Sequence, residues 1–185
     1  VTEQLICRDC TRAAEFQYAG SIGPLDLAPP SLAIVRRTGD ALACECNLLG
    51  QFGVDFVVDT EGAPWLVDVN PRYTASMEII ERITGRSMIA THWAACNGEL
   101  PVDSQPPIDG RYYGKAYLFA CEEVTIGNLT GCCLADVPPE GTKIAKHAPV
   151  ATVFADAYRP AEVESLLQQR LLQLEQKVYC SQEYR

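Results

Sequence analysis

The segment QFGVDFVVDTEGAPWLVDVNPR, residues 51–72, sets two aspartates, an asparagine and an arginine along two strand-like runs. In the first run Phe52, Val54, Phe56 and Val58 alternate on one face, leaving Gly53, Asp55, Val57 and Asp59 on the other. After a Glu61-Gly62 turn, Trp65, Val67 and Val69 face one way and Leu66, Asp68 and Asn70 the other. A hairpin with a two- or four-residue loop, pairing Thr60 with Ala63 or Asp59 with Pro64, places Asp55 directly across from Asp68. Opposed residues on a sheet face lie only about 4.5–5.5 Å apart at Cβ, and like charges there repel. Such a pair is accommodated by protonating one acid, by a basic side chain between them, or by a bridging cation. Asn70 adds a neutral oxygen on the same face. Two carboxylates and an amide form a hard, all-oxygen set suited to magnesium that keeps some water and phosphate oxygens. Arg72, two residues on, could offset charge on a phosphoryl group or acyl phosphate. The plainer alternative is a pair of solvated acids on an open sheet face. Apolar Val57 and Leu66 beside them favour a pocket lining instead.

The remaining pattern supplies the elements that must position this hairpin. Glu3–Cys7 and Ala14–Tyr18 read as strands, and AGSIGPLDLAPP (residues 19–30), rich in Gly and Pro, reads as a loop. Its YAGSIGP portion could bring backbone N–H groups toward an anion. A helix is expected over Ser31–Leu49, with Leu32, Val35, Leu42, Cys46 and Leu49 at helical spacing, Gly50 as its C-terminal cap and Gly39 a small internal cost. Short helices follow over Ser76–Thr84, with Ser76 as N-cap, and Ser87–Cys96, where His92, Trp93 and Cys96 share an inner stripe. Residues 98–110 read as a Pro-rich linker. Strands are expected over Arg111–Ala120 and Glu123–Ile126, then a turn-rich stretch from Ala135 to Asp156. An amphipathic helix closes the chain, its stripe formed by Val163, Leu166, Leu167, Leu171, Leu174 and Val178. Lys115, in GKAYLFA, is a candidate substrate or phosphate contact.

Composition narrows the function classes. The 185 residues carry 15 Lys and Arg against 24 Asp and Glu, a formal charge of −9, and are 48% hydrophobic. That balance is globular. The acidic surplus argues against nucleic acid and anionic membranes as partners, since both demand basic surface. No uncharged stretch approaches the ~20 apolar residues of a membrane span. The nine cysteines form an odd count that fits free, largely buried packing thiols better than a disulfide framework, and adjacent Cys132 and Cys133 fit packing better than a redox pair. A zinc module built from Cys7, Cys10, Cys44 and Cys46 is the sharper alternative, weakened because Cys44 and Cys46 sit two apart on a helix and diverge. A chain that opens in mid-pattern at Val1, with no signal-peptide grammar, is expected to be part of a longer cytoplasmic protein.

The run GVDFVVDTEGAPWLVDVNPR followed by TASMEIIERITG resembles the nucleotide- and metal-binding hairpin of ATP-grasp enzymes, among them biotin carboxylase, carbamoyl phosphate synthetase and D-alanine ligase. The resemblance implies an α+β fold: an antiparallel sheet flanked by helices, then a small β-rich element and the terminal helix. Residues 1–98 would be the C-terminal portion of the nucleotide- and metal-binding domain, 99–110 a linker, and 111–185 the β-rich element with its helix. It further implies that Asp55, Asp68 and Asn70 hold Mg²⁺ (or Mn²⁺), that Val57 packs under the adenine of ATP, and that Arg72 contacts phosphate. The family normally carries Glu where this chain has Asp55 and Asp68. The implied activity uses Mg–ATP to turn a small carboxylate into an acyl phosphate that an amine or similar nucleophile attacks. The phosphate-binding lysines and the adenine hinge are expected upstream of Val1, so the chain alone should bind nucleotide weakly and turn over nothing. Three other readings stay open: a non-catalytic ATP-grasp-like binding or regulatory module, the zinc module, and pairing through the terminal helix as a homodimer.

Overall fold

A computed structural model describes residues 1–6, 8–99 and 109–180. Cys7, most of the expected linker and the last five residues lie outside it. The described residues form two compact units: residues 1–24 with 109–180, and residues 25–99.

The first unit is built on a five-stranded antiparallel sheet ordered β1-β2-β5-β9-β7. Its strands are β1 (Glu3–Ile6), β2 (Tyr18–Gly23), β5 (Tyr112–Phe119), β7 (Leu134–Ala135) and β9 (Pro149–Ala157). A small ribbon pairs β6 (Val124–Thr125) with β8 (Lys143–Ile144). The closing helix, α4 (Pro160–Cys180), packs on β5 and β9. Its stripe is buried as the periodicity requires: Val163, Leu167, Leu171, Leu174 and Val178 meet Leu5, Ile22, Ala116, Leu118 and Val153 in one core. Burying each such side chain stabilises the fold by about 1.5–3 kcal/mol. Gly114 allows the close approach, since a Cβ there would lie 2.6 Å from Val163 Cγ1 and 2.9 Å from Leu167 Cδ1.

Four expectations fail here, each for a physical reason. Residues 19–23 are strand, not loop: Ala19 and Ser21 are buried and the segment pairs on both sides, with β1 and with β5. Its N–H groups therefore serve the ladder rather than an anion. The β2 strand starts only at Tyr18, because the preceding residues turn through Arg12 and Phe16 at positive φ. β9 replaces the end of the supposed turn-rich stretch. Buried on both faces from Val150 to Ala155, it shows no polar alternation to betray it. Because β2 pairs with β5, the first two strands belong with the C-terminal half, and the expected division at residues 98–110 does not separate the observed units.

Two tyrosines of this unit are expected to titrate distinctively. Tyr113 donates its phenol proton to Asp109 Oδ2 at 2.7 Å, a bond that, ahead of burial, pushes its pKa up to about 12. Tyr179 is pushed to about 12 chiefly by burial, then by contact with Cys121, whose N–H it accepts at 3.0 Å. A folded pKa above the ordinary value of about 10 means that the stability from each protonated phenol is complete below pH ~10 and lost as pH rises toward 12. Asp109 behaves oppositely: the Tyr113 phenol, then the Arg111 N–H, hold it below the usual carboxylate range, so its contribution is lost as pH falls through that lowered value. Phenolate absorbance of the folded chain should therefore show a late step near pH 12 that loses one tyrosine in Tyr113→Phe. An unchanged step in that variant would mean the Asp109 bond does not form in solution.

The second unit holds α1 (Pro29–Glu45), the hairpin β3 (Gly53–Val58) and β4 (Pro64–Asn70), then α2 (Met77–Thr84) and α3 (Met88–Cys96). The α1 helix starts on a Pro pair and ends before Cys46 rather than at Leu49, which is 75% exposed. Ser31 on α1 donates to the carbonyl of Gly62 at 2.6 Å, anchoring the hairpin turn. Gly85 closes α2 at φ 65, donating its N–H to Glu81 O. Among the described residues no helix is long and apolar enough to cross a membrane.

Candidate active site

The hairpin closes through a five-residue loop, residues 59–63, in which Asp59 is the organiser. Its N–H donates to Ala63 O at 3.0 Å, its Oδ1 accepts from the N–H groups of Glu61 and Ala63, and its Oδ2 accepts the Trp65 indole N–H at 2.8 Å. These donors, the indole first, lower the Asp59 pKa. Gly62 supplies the positive φ of 85 that the loop needs.

This loop is one residue out of step with the expected turn, and the ladder corrects itself further along. Val58 pairs with Pro64, Val57 with Trp65 and Phe56 with Leu66, while Asp55 pairs with Asp68. Val67 is the extra residue, a bulge on β4. Asp55 and Asp68 therefore oppose each other as expected, but Leu66 moves to the Phe56 face and Trp65 takes its place across from Val57. Val57 is 59% and Trp65 63% exposed, so the apolar neighbours of the acids form an open shelf rather than a lined pocket.

Beyond Asp68 the polar side chains are linked. Asn70 Nδ2 donates to Asp68 Oδ2 at 2.9 Å, and Arg72 Nη2 donates to Asn70 Oδ1 at 2.9 Å. Arg72 Nη1 also reaches the carbonyl of Tyr73 at 3.1 Å. The amide has one sensible orientation here, its NH₂ toward the carboxylate and its oxygen toward the guanidinium, because inversion would set like against like at both ends. Asp68, Asn70 and Arg72 thus form one hydrogen-bonded row, with Asp55 across the ladder from its first member. Among the described residues no three His, Cys, Asp or Glu side chains converge on a metal position. The candidate set is the two carboxylates Asp55 and Asp68; Asn70, expected as a third oxygen ligand, instead turns its oxygen to Arg72.

Contacts that sequence reasoning did not foresee surround this row. Gly53 pairs with Asn70, and a Cβ on it would lie 2.5 Å from Thr74 Cγ2, so the chain after Arg72 can fold back across the start of β3 only because residue 53 is glycine. Ser76 does not cap α2; its hydroxyl meets that of Thr74 at 3.1 Å, whereas Ser87 does cap α3 by accepting the Ala90 N–H. His92 is half-buried and accepts the Gln51 N–H on Nδ1 at 2.9 Å, fixing where β3 begins. Gly50, at φ 78, lies so close that a Cβ would be 2.6 Å from that nitrogen. Trp93, by contrast, is 74% exposed and does not share a core stripe with it. Glycines beside polar side chains, rather than any motif, were the available signal.

The other candidates lie on other elements. Lys115 is on β5 in the first unit, 3% exposed, with its ammonium 5.4 Å from the Tyr117 ring centroid. Of the proposed zinc ligands, Cys10 is in the first unit, Cys44 and Cys46 are exposed at the end of α1 in the second, and Cys7 lies outside the described residues.

Comparison with known proteins bears on the hairpin directly. Residues 1–76 match the ATP-grasp domain family. The chain is 28% identical over 138 residues to "Uncharacterized protein MJ0776" of Methanocaldococcus jannaschii, a match covering 75% of this chain and 33% of that protein. It therefore spans about a third of the relative's length. Its fold matches L-amino acid ligase from Bacillus licheniformis with a TM-score of 0.65 at 18% identity, over 83% of this chain and 44% of the other. It also matches the biotin carboxylase domain dimer of Hydrogenobacter thermophilus 2-oxoglutarate carboxylase, solved with MgADP, ADP and bicarbonate, with a TM-score of 0.62 at 19% identity over 80% and 36% of the two chains. The match to the ATP-grasp domain family thus encloses the whole hairpin from Asp55 to Arg72, and the chain shares its fold with these enzymes.

Proposed function

We propose that this chain supplies the metal-binding wall of a Mg–ATP site in a ligase that activates a small carboxylate for attack by an amine or similar nucleophile. The observation that carries this reading is the hydrogen-bonded row Asp68–Asn70–Arg72 standing across the ladder from Asp55. The donor chemistry fits a hard cation: two carboxylates opposed on one face, one of them oriented by an amide NH₂ one pleat away. Asp55 and Asp68 would hold magnesium together with water and phosphate oxygens, while Asn70 orients Asp68 through its NH₂. When bound, Mg–ATP supplies the phosphoryl group that activates the carboxylate. The chain's own contribution is electrostatic positioning, which is most of what phosphoryl transfer asks of a protein. The paired carboxylates concentrate negative charge where a cation must sit. Asn70 sets the distance between that charge and the Arg72 guanidinium, which is exposed and able to meet anionic oxygens. The open Val57 and Trp65 shelf offers apolar surface to an adenine ring.

The test is a Mn²⁺ titration of the chain, read by water-proton relaxation, with and without a non-hydrolysable ATP analogue. Binding that tightens when nucleotide is present supports the reading. No Mn²⁺ binding above that of an Asp55→Asn, Asp68→Asn double variant sinks it.

A further inference from the structure

Cys132 and Cys133 do not behave as packing residues. Cys132 is exposed and Cys133 half-buried, and their sulfurs lie 3.6 Å apart. Adjacent side chains on an extended strand point to opposite sides. These two converge because they are the central residues of a turn, closed by the Leu134 N–H to the Gly131 carbonyl at 3.4 Å, just before β7 begins. The turn is tied down at its far side, where the Phe154 N–H of β9 donates to the Cys133 carbonyl at 3.0 Å and Leu134 pairs with Val153. The thiols are thus held in a pair by backbone bonds that neither of them makes.

The separation selects the chemistry. A direct S–S bond is about 2.05 Å long and normally joins Cα atoms 4.4–6.8 Å apart, whereas neighbouring Cα atoms are fixed at about 3.8 Å. Closing Cys132 onto Cys133 would therefore strain the turn. A single atom bonded to both sulfurs at about 2.3 Å with a near-tetrahedral angle spans about 3.8 Å between them, close to the distance already present. Zinc asks for four ligands, and among the described residues no third His, Cys, Asp or Glu joins the pair. A trivalent arsenic centre needs only two sulfurs, its third valence being filled by its own substituent.

We propose that Cys132 and Cys133 form a vicinal dithiol site for trivalent arsenicals, which bind by two-sulfur chelation. With an organic arsenoxide the step is a condensation: two As–S bonds form, the As=O bond breaks, and both thiol protons leave with the oxygen as water. No electrons are transferred and no further reactant is needed. The Cys133 thiol is pushed up by burial and then by its contact with Cys132, so it carries its proton at neutral pH, and that is the form the condensation consumes.

The experiment is intact-mass analysis of the full chain treated with one equivalent of phenylarsine oxide in excess 2-mercaptoethanol, followed by peptide mapping. We expect one adduct that resists the monothiol, is removed by 2,3-dimercaptopropanol and maps to residues 132–133. It should be lost in Cys132→Ser and in Cys133→Ser and kept in Cys121→Ser and Cys180→Ser. Circular dichroism of the serine variants checks that loss does not follow from unfolding. An adduct mapping to any other cysteines, surviving both single variants at this turn, or absent from the folded wild type would overturn the proposal.

Discussion

Asp68→Asn should bind Mn²⁺ at least about 100-fold more weakly than the wild-type chain in the presence of a non-hydrolysable ATP analogue. Removing groups that merely orient metal ligands typically costs 10–100-fold in affinity, so deleting one of only two carboxylates belongs at or beyond the top of that range. The same change removes a like-charge opposition across the ladder, since Asp68 faces Asp55. Stability should therefore rise by about 0.2–1 kcal/mol while metal affinity falls. Relaxation titration reads the first effect and urea unfolding the second. Loss of Mn²⁺ together with loss of stability would point to a damaged hairpin instead of a missing ligand. Wild-type Mn²⁺ affinity in the variant would show that the opposed acids are not a metal site.

The second large effect comes from the same substitution made at two glycines. Gly20 has φ +146, and a Cβ built on it would lie 2.0 Å from the carbonyl oxygen of Lys115 on the neighbouring strand. Gly20→Ala therefore combines a backbone conformation that L-residues avoid, worth about 1–3 kcal/mol, with overpacking against backbone that cannot rotate away, worth about 1–3 kcal/mol more. A combined loss of about 4 kcal/mol is a large part of the 5–15 kcal/mol by which domains are stable. Gly39 lies mid-way along α1 with nothing within 4 Å of its Cβ position. There Gly→Ala should stabilise the helix by up to about 1 kcal/mol. Urea midpoints of the two variants should thus move in opposite directions from wild type. A Gly20→Ala chain as stable as wild type would show that β2 and β5 do not pair as described.

What could be read in advance was whatever has a local signature. The terminal helix announced itself by a stripe from Val163 to Val178, and all of that stripe except half-buried Leu166 is buried in the core. The hairpin announced itself by alternation, and Asp55, Asp68, Asn70 and Arg72 do come together on it. The bulge at Val67 was not readable, because a one-residue slip changes no local preference yet moves Leu66 to the other face and puts Trp65 beside Val57. β2 reads as a loop in the sequence because AGSIGPLDLAPP carries two glycines and three prolines, which usually mark one. Gly20 is in fact there so that the Lys115 backbone can come close. The grouping of β1 and β2 with the C-terminal strands depends on Ser21 lying opposite Lys115, a long-range pairing that no window along the chain contains. The linkage of Asn70 to its two neighbours and the support of Thr74 by Gly53 are likewise properties of the folded corner.

The different numbers of partners that strands have in the two sheets also set two rates at which solvent deuterium should enter the backbone. β5 has a partner along both edges, β2 and β9, so its amides in the register from Tyr113 to Ala116 point into a ladder whichever way they face. β3 and β4 have only each other among the described strands, so every second amide on each points outward to water. Deuterium should reach those alternate hairpin amides long before it reaches β5, and the slow set should be released together with the α4 core.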